Sequence, residues 1–328
     1  MPDAASLLRL ALVYGTSALS LRGTAVWAEA AGVARVCDVS LLERLRNASD
    51  WLEDIWQTLL AERLSGLALP RLDRVVRLVD ATSISAPGSA GTDWRLHLEY
   101  RPAEGRFAAA VLSDGRTAEG FRHFTFGKGD LALGDRAYAK AGDLARVAAA
   151  GADFLVRIGW RSVVLLHADG QPLDILALLA GLPPDRTAEI PVQLADGARH
   201  RRPVAAARLI LQPLPDDVAE RSRQRAGRKA RRQGRTVLAK GAIAAGWMML
   251  LTTLPAETAD PDRVLALYRL RWQIELAFKR LKSLLHIDRL TAKDPRLARC
   301  WLAANLVAAL LIDRMSQDFL DSPPSATG

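Results

Sequence analysis

The sequence predicts an α/β protein: a mixed sheet flanked by helices, preceded by a helical region and interrupted by a β-rich insertion. Three observations predict it. Between residues 74 and 158 the patterns run strand, hairpin, short strand, helix, strand, an order that a mixed sheet with covering helices accommodates. Up to about residue 65 the apolar spacing is helical rather than alternating. Half of the 328 residues are apolar, enough to fill a core in a chain of this length.

Taken in order, Leu7 to Ala18 reads as an apolar helix. Ser20 suits the cap of a second helix, and Gly32 suits its end. After a short turn, Asp38 to Arg46 forms another. Two short helices joined this way either read DNA as a helix-turn-helix or are plain structure. Trp51 to Leu64 is a further amphipathic helix.

After Pro70 the texture changes. Arg74 to Asp80 (RVVRLVD) reads as a buried strand ending in Asp80, and ATSISAPG as a loop. Trp94 to Tyr100 and Phe107 to Leu112 alternate, with a turn at Asp114-Gly115, and make a hairpin. Leu131 to Gly134 is a short strand ending in Asp135. Lys140 to Ala150 is helical and Phe154 to Ile158 is a strand. Asp80 and Asp135 thus both stand at carboxyl ends of strands, where α/β ligand sites form. Beyond residue 159, Val163 to Leu166, Pro191 to Leu194 and Trp247 to Thr253 read as strands. Asp260 or Pro261 opens the next helix, and Pro295 starts the last, Leu297 to Met315. The expected division is 1–69 (helical), 70–158 (core, first part), 159–250 (insertion with a basic arm at 221–235), 251–316 (core, second part) and 317–328 (disordered tail).

The formal net charge is +9, and residues 221–235 (RSRQRAGRKARRQGR) hold eight basic residues and no acid. Such a balance points to polyanions, nucleic acid first. The tract is either a DNA-contacting arm or a solvated loop. Cys37 and Cys300 lie far apart without metal-type spacing, which excludes a disulfide scaffold and structural zinc. The apolar run Trp301 to Ile312 is too short to span a bilayer. No charged segment precedes Leu7 to Leu19, so a signal peptide is not expected and the compartment reads as cytoplasmic.

The stretch Tyr268 to Lys282 (YRLRWQIELAFKRLK) is helical in pattern. At 100° per residue, Leu270, Ile274, Ala277 and Leu281 share one side. Tyr268, Arg271, Glu275, Lys279 and Lys282 share roughly the opposite one. That second face is either a solvated stripe with ordinary ion pairs or a site that holds a metal and phosphates together. Asp80, Asp135 and Glu275 are three isolated carboxylates in a basic chain, the donor type that holds Mg²⁺. Two such ions can activate a water or a 3′ hydroxyl and stabilise the leaving oxygen of a phosphodiester.

The spacing Tyr268-x2-Arg271-x3-Glu275-x6-Lys282 resembles the Tyr-Arg-Glu-Lys signature of the DDE transposases of the insertion-sequence-four type. Asp80-Ala81-Thr82 and Asp135-Arg136-Ala137-Tyr138 resemble that family's first and second aspartate motifs, with Ala81 in place of the usual Gly. LLTTLP before the signature helix and LSLRGTAVWAEAAGV near the start are similar too, whereas the basic tract matches no family motif. The resemblance implies an RNase H-like core and Asp80, Asp135 and Glu275 as catalytic metal ligands for two Mg²⁺, with Mn²⁺ able to substitute. It implies cutting at transposon ends, a hairpin on the transposon end, and joining of 3′ ends to target DNA. The partners would be double-stranded DNA (terminal inverted repeats and target) and a second copy of the chain in a synaptic homodimer, in a bacterial cytoplasm at the nucleoid. Tyr268, Arg271 and Lys282 would hold the phosphate beside a flipped base, with Lys279 on the same face. Trp247, 21 residues before Tyr268, would stack on that base or else be a core residue. Arg228, Lys229, Arg231 and Arg232 of the basic tract would add DNA contacts. Two other readings compete: a catalytically inactive DNA-binding protein derived from a transposase, and a nuclease that only hydrolyses.

Overall fold

The computed structural model describes residues 3–17, 19–64, 72–85, 93–103, 106–197, 199–232, 239–271 and 294–321. The chain divides into two compact units. One comprises Met1–Ala68, Ala81–Ala118 and Ile274–Gly328; the other comprises Leu69–Asp80 and Glu119–Gln273.

In the first unit, α1 (Ala4–Thr16), α2 (Leu21–Ala30), α3 (Asp38–Asn47) and α4 (Ser49–Leu64) precede the hairpin β2 (Trp94–Arg101) and β3 (Arg106–Asp114). Asp3 and Ser20 cap α1 and α2 through their side-chain oxygens. Gly32 takes φ +66° just past α2, a conformation that favours glycine. The connection from α2 to α3 runs over 31–37, longer than the three- or four-residue turn of a helix-turn-helix. The last helix, α10 (Pro295–Asp321), packs on α1 and α4. A Cβ on Gly15 would stand 3.0 Å from Ala304 Cβ, so the two helices meet closely. There the buried Asn305 Nδ2 donates to Gly15 O at 3.0 Å. The N-terminal helices therefore share a core with the C-terminal helix rather than standing apart. Helix α10 also continues through 317–321, where a disordered tail was expected.

The second unit is built on a mixed sheet. Strands β4 (Asp130–Gly134), β5 (Asp153–Ile158), β6 (Leu165–Leu166), β7 (Ala188–Ala195), β8 (Pro203–Pro213) and β9 (Trp247–Thr252) join β1 (Val75–Ile84) in the order β1-β4-β5-β9-β8-β7-β6. The pairs β1–β4 and β4–β5 are parallel, and the rest are antiparallel. One face of this sheet buries Phe121, Tyr138, Leu144, Phe154, Val156 and Leu251 in a continuous core. Helices α5 (Ala141–Ala149), α6 (Ile175–Gly181), α7 (Asp216–Arg232) and α8 (Ala239–Ala245) complete the unit up to α9, which is helical from 261 to the last described residue, 271.

Three expectations are corrected. Strand β1 does not stop at Asp80. Thr82 and Ile84, both β-branched, carry it four residues further, where a loop was expected. The basic tract is not a loop or arm as far as residue 232: it is the body of α7, whose first turn holds Asp216 and Asp217 and whose far end is cationic, the polarity a helix dipole favours. The insertion is mixed rather than only β-rich, since α6 to α8 alternate with its strands, and β8 and β9 extend the core sheet itself.

Candidate active site

The register of the parallel strands builds the site. Leu78 in β1 faces Leu133 in β4. Asp80 lies two residues beyond Leu78, and Asp135, just past the end of β4, lies two beyond Leu133, so the register continued brings the two level. Neighbouring strands lie about 4.8 Å apart, and in-register residues project to the same face. The pairing of Gly134 with Val156 carries the row on to Arg157 in β5. Continued past these last paired residues, the two registers align Asp80, Asp135 and Arg157 across three parallel strands, on the face opposite the core that buries Val79, Phe154 and Val156.

Asp135 is fixed by a turn. It caps a 3-10 turn, Arg136–Tyr138, and its Oδ1 accepts from Ala137 N at 2.7 Å. Tyr138 packs behind it at 0% exposure, with its ring centroid 5.2 Å from that of Phe121. Among the described residues Oδ2 of Asp135 takes no hydrogen bond.

Helix α9 is seated by three anchors. Asp260 Oδ1 accepts from Arg263 N at 2.8 Å, and Pro261 opens the first turn as expected. Ahead of it, Arg208 in β8 donates from Nη1 to the carbonyls of Leu254 and Ala259, both at 2.8 Å. Thr252 ties β9 to β5 through its hydroxyl, which donates to Phe154 O at 2.7 Å. This is what the LLTTLP segment does physically: it holds the link into α9 against the sheet.

On α9, Tyr268 is only 6% exposed, so this phenol is not part of a solvated surface. Burial raises the phenol pKa, opposed by the guanidinium groups of Arg271 and Arg157, while the Asp135 carboxylate pushes it up further. Tyr268 is thus a neutral donor within electrostatic reach of the row, and Arg271 Cζ lies 5.2 Å from its ring centroid. The buried Tyr268 hydroxyl has no hydrogen bond of good geometry among the described residues.

Trp247 opens β9 opposite Pro213, is 8% exposed and belongs to the core of its unit. Arg228, Lys229, Arg231 and Arg232 lie on α7, with Arg228 and Arg231 exposed. Glu275, Lys279 and Lys282 fall outside the described residues. Among the described residues no three metal-type side chains cluster. Asp80 and Asp135, near the ends of adjacent parallel strands, both offer the hard oxygen donors that a divalent ion takes.

Residues 71–311 match the family described as the transposase DDE domain. The chain belongs to the DDE transposases. It is 43% identical over 328 residues to InsL for insertion sequence element IS186A of Escherichia coli (strain K12), covering 99% of this chain and 88% of the relative. The transposase for element IS421 of Escherichia coli is likewise 43% identical over 329 residues, with the same shares covered. More distantly, the transposase for IS231F of Bacillus thuringiensis subsp. israelensis is 26% identical over 272 residues, covering 72% of this chain and 55% of the relative. This transposase therefore serves insertion-sequence transposition, acts on the DNA of element ends, and comes from a family that uses divalent metal ions.

Two residues of the candidate site were not anticipated. Arg157 is a cation inside the apolar strand FLVRI, and that misfit was its available signal. Its place in the row depends on strand register, which the sequence does not state. Arg208 has no local signal, because its partners are Glu189 on the neighbouring strand and backbone carbonyls 46 and 51 residues away.

Proposed function

We propose that this transposase cuts DNA at insertion-sequence ends and joins the 3′ ends to target DNA, passing through a hairpin on the transposon end. The observation that supports the reading is the parallel register of β1 and β4, paired up to Leu78 and Leu133, two residues before Asp80 and Asp135, with Tyr268 buried within electrostatic reach of Asp135. In this reading Asp80 and Asp135, together with Glu275, hold two Mg²⁺, or Mn²⁺ in their place. Divalent ions there supply an activated water or 3′ hydroxyl and stabilise the leaving oxygen.

The chain's own groups do the rest. Arg157 is half-buried and without an ion pair among the described residues, so it offers a fixed positive charge one strand from Asp135. Together with Arg271 and Lys282 it holds the phosphate of the strand being bent. Tyr268 donates from a dry position, where a hydrogen bond is worth more than in water. Trp247 receives the displaced base, and α7 adds phosphate contacts away from the cut. Two copies of the chain pair two ends in a synaptic homodimer.

The test is Asp80→Ala. The variant keeps binding to an end duplex and loses Mg²⁺-dependent nicking. Residual Mg²⁺-dependent nicking counts against the metal-ligand role. Equal, metal-independent behaviour of variant and wild type favours a DNA-binding protein without catalysis.

A further inference from the structure

Strand β5 does not end in an ordinary loop. Gly159–Ser162 is a tight turn, closed by Ser162 N donating to Gly159 O at 2.9 Å and by Gly159 N donating to Ser162 Oγ at 2.8 Å. Its tip carries Trp160 and Arg161. Trp160 is half-buried against the core of its unit, and Arg161 is exposed. The Arg161 guanidinium carbon sits 3.9 Å from the centroid of the Trp160 ring system. Arg136, next to Asp135, reaches the same turn: where Gly159 has no side chain, a Cβ would overlap its guanidinium. Arg157 lies two residues before the turn.

Arg136, Arg157 and Arg161 thus gather at one end of β5, and among the described residues none has a carboxylate partner. Cations that no ion pair neutralises leave positive charge that a polyanion can take up. The stack on Trp160 matters chemically. It occupies the flat face of Arg161 and leaves its N–H donors free in the plane, the geometry that takes a phosphate with two parallel hydrogen bonds. The half-buried indole also holds the guanidinium in place, so less rotamer freedom is lost on binding.

We propose that the Gly159–Ser162 turn, with Arg161 seated on Trp160 and Arg136 beside it, grips backbone phosphates of the DNA strand next to the scissile one. The proposal rests on the nicking function above. Three to four residues separate the turn tip from Arg157 in the carboxylate row, at most about 13 Å of chain. At about 3.4 Å per base step, that places the grip within roughly four nucleotides of the cut.

The experiment uses the full chain and a set of end duplexes, each carrying one uncharged methylphosphonate at a single position near the cut. Binding is measured without divalent metal. For the wild type, neutralising one phosphate within that window weakens binding roughly tenfold, the scale of one charge-assisted hydrogen bond. Arg161→Ser binds the unmodified duplex more weakly by a similar factor and no longer responds to that position. Arg161→Lys keeps the wild-type salt dependence but responds less, because it lacks the planar fork. Arg136→Gln moves the response at a neighbouring phosphate. If Arg161→Ser binds like the wild type, or keeps the wild-type positional profile, the proposal fails. The same duplexes with Asp80→Ala and Mg²⁺ test the catalytic reading separately: nicking by that variant would defeat the metal-site assignment and leave the phosphate profile unaffected.

Discussion

Gly134 decides where Asp135 can sit. A Cβ there would come 2.8 Å from Tyr138 Cβ and 3.0 Å from Phe121 Cζ, so the turn closes only over glycine. Gly134→Ala should cost about 1–3 kcal/mol as overpacking and should also slow nicking, because Tyr138 and Asp135 share one short turn. A lowered urea midpoint together with slower nicking is expected; an unchanged midpoint would mean the aromatic pair gives way freely. Trp247 poses a harder case. The ring is buried in the core, so Trp247→Ala lowers stability whatever its role, by about 3–5 kcal/mol for a large aromatic. The informative quantity is the ratio of two rates. The variant should spare the first nick relative to hairpin formation, since only the second requires the base to leave the stack. An end lacking the base at the flipped position should partly restore hairpin formation. Equal slowing of both steps, unrelieved by the abasic end, would make Trp247 a packing residue.

Helix α7 shows how an element changes the meaning of its residues. As a loop, all its arginines would be equivalent. As a helix, Arg221 pairs with Asp217 at 2.6 Å and Arg223 with Glu220 at 3.3 Å, whereas Arg225, Arg228 and Arg231 are exposed beyond the acidic turn. Replacing those three by Ser should flatten the log–log salt dependence of DNA binding by up to about 0.9 per lost phosphate contact. Replacing Arg221 and Arg223 should flatten it less, because each already has a carboxylate neighbour. An unchanged slope in the first variant would leave α7 as a solvated surface. The reading of this tract as a loop or arm passed over local signals for a helix: Asp216 to Arg232 has no proline, acids at its start and bases at its end. Strand β8 was harder to find. Its Ala-rich first half lacks the β-branched pattern, and it forms because β7 and β9 both pair with it.

On the scale of the whole chain, Asp294 ties the end of the protein to its beginning. It caps α10 by accepting from Leu297 N at 2.9 Å, and it accepts from Arg46 Nη2 in α3 at 2.8 Å across 248 residues of sequence. The cap bond first, and the Arg46 guanidinium second, hold its carboxyl below the usual carboxylate range. A carboxyl with a depressed folded pKa stabilises fully above its unfolded value of about 3.9, and that contribution is lost as pH falls through the folded value. Asp294→Ala should therefore lower Tm at pH 7, and its difference from the wild type should shrink below about pH 4. A difference independent of pH would mean that the lost cap geometry alone matters. By itself the sequence determined the family of this transposase: the two aspartate motifs, the Tyr268 to Lys282 spacing, the basic balance and most element types are local patterns of side-chain type and period. Only the tertiary structure decided who stands beside whom. That the strands carrying Asp80, Asp135 and Arg157 run parallel and in register, that Arg136 reaches Gly159, and that α1 and α4 pack on α10 all follow from strand register and helix packing between distant segments. Such contacts are fixed by burying complementary surfaces, a property of pairs of elements that no single stretch of sequence contains.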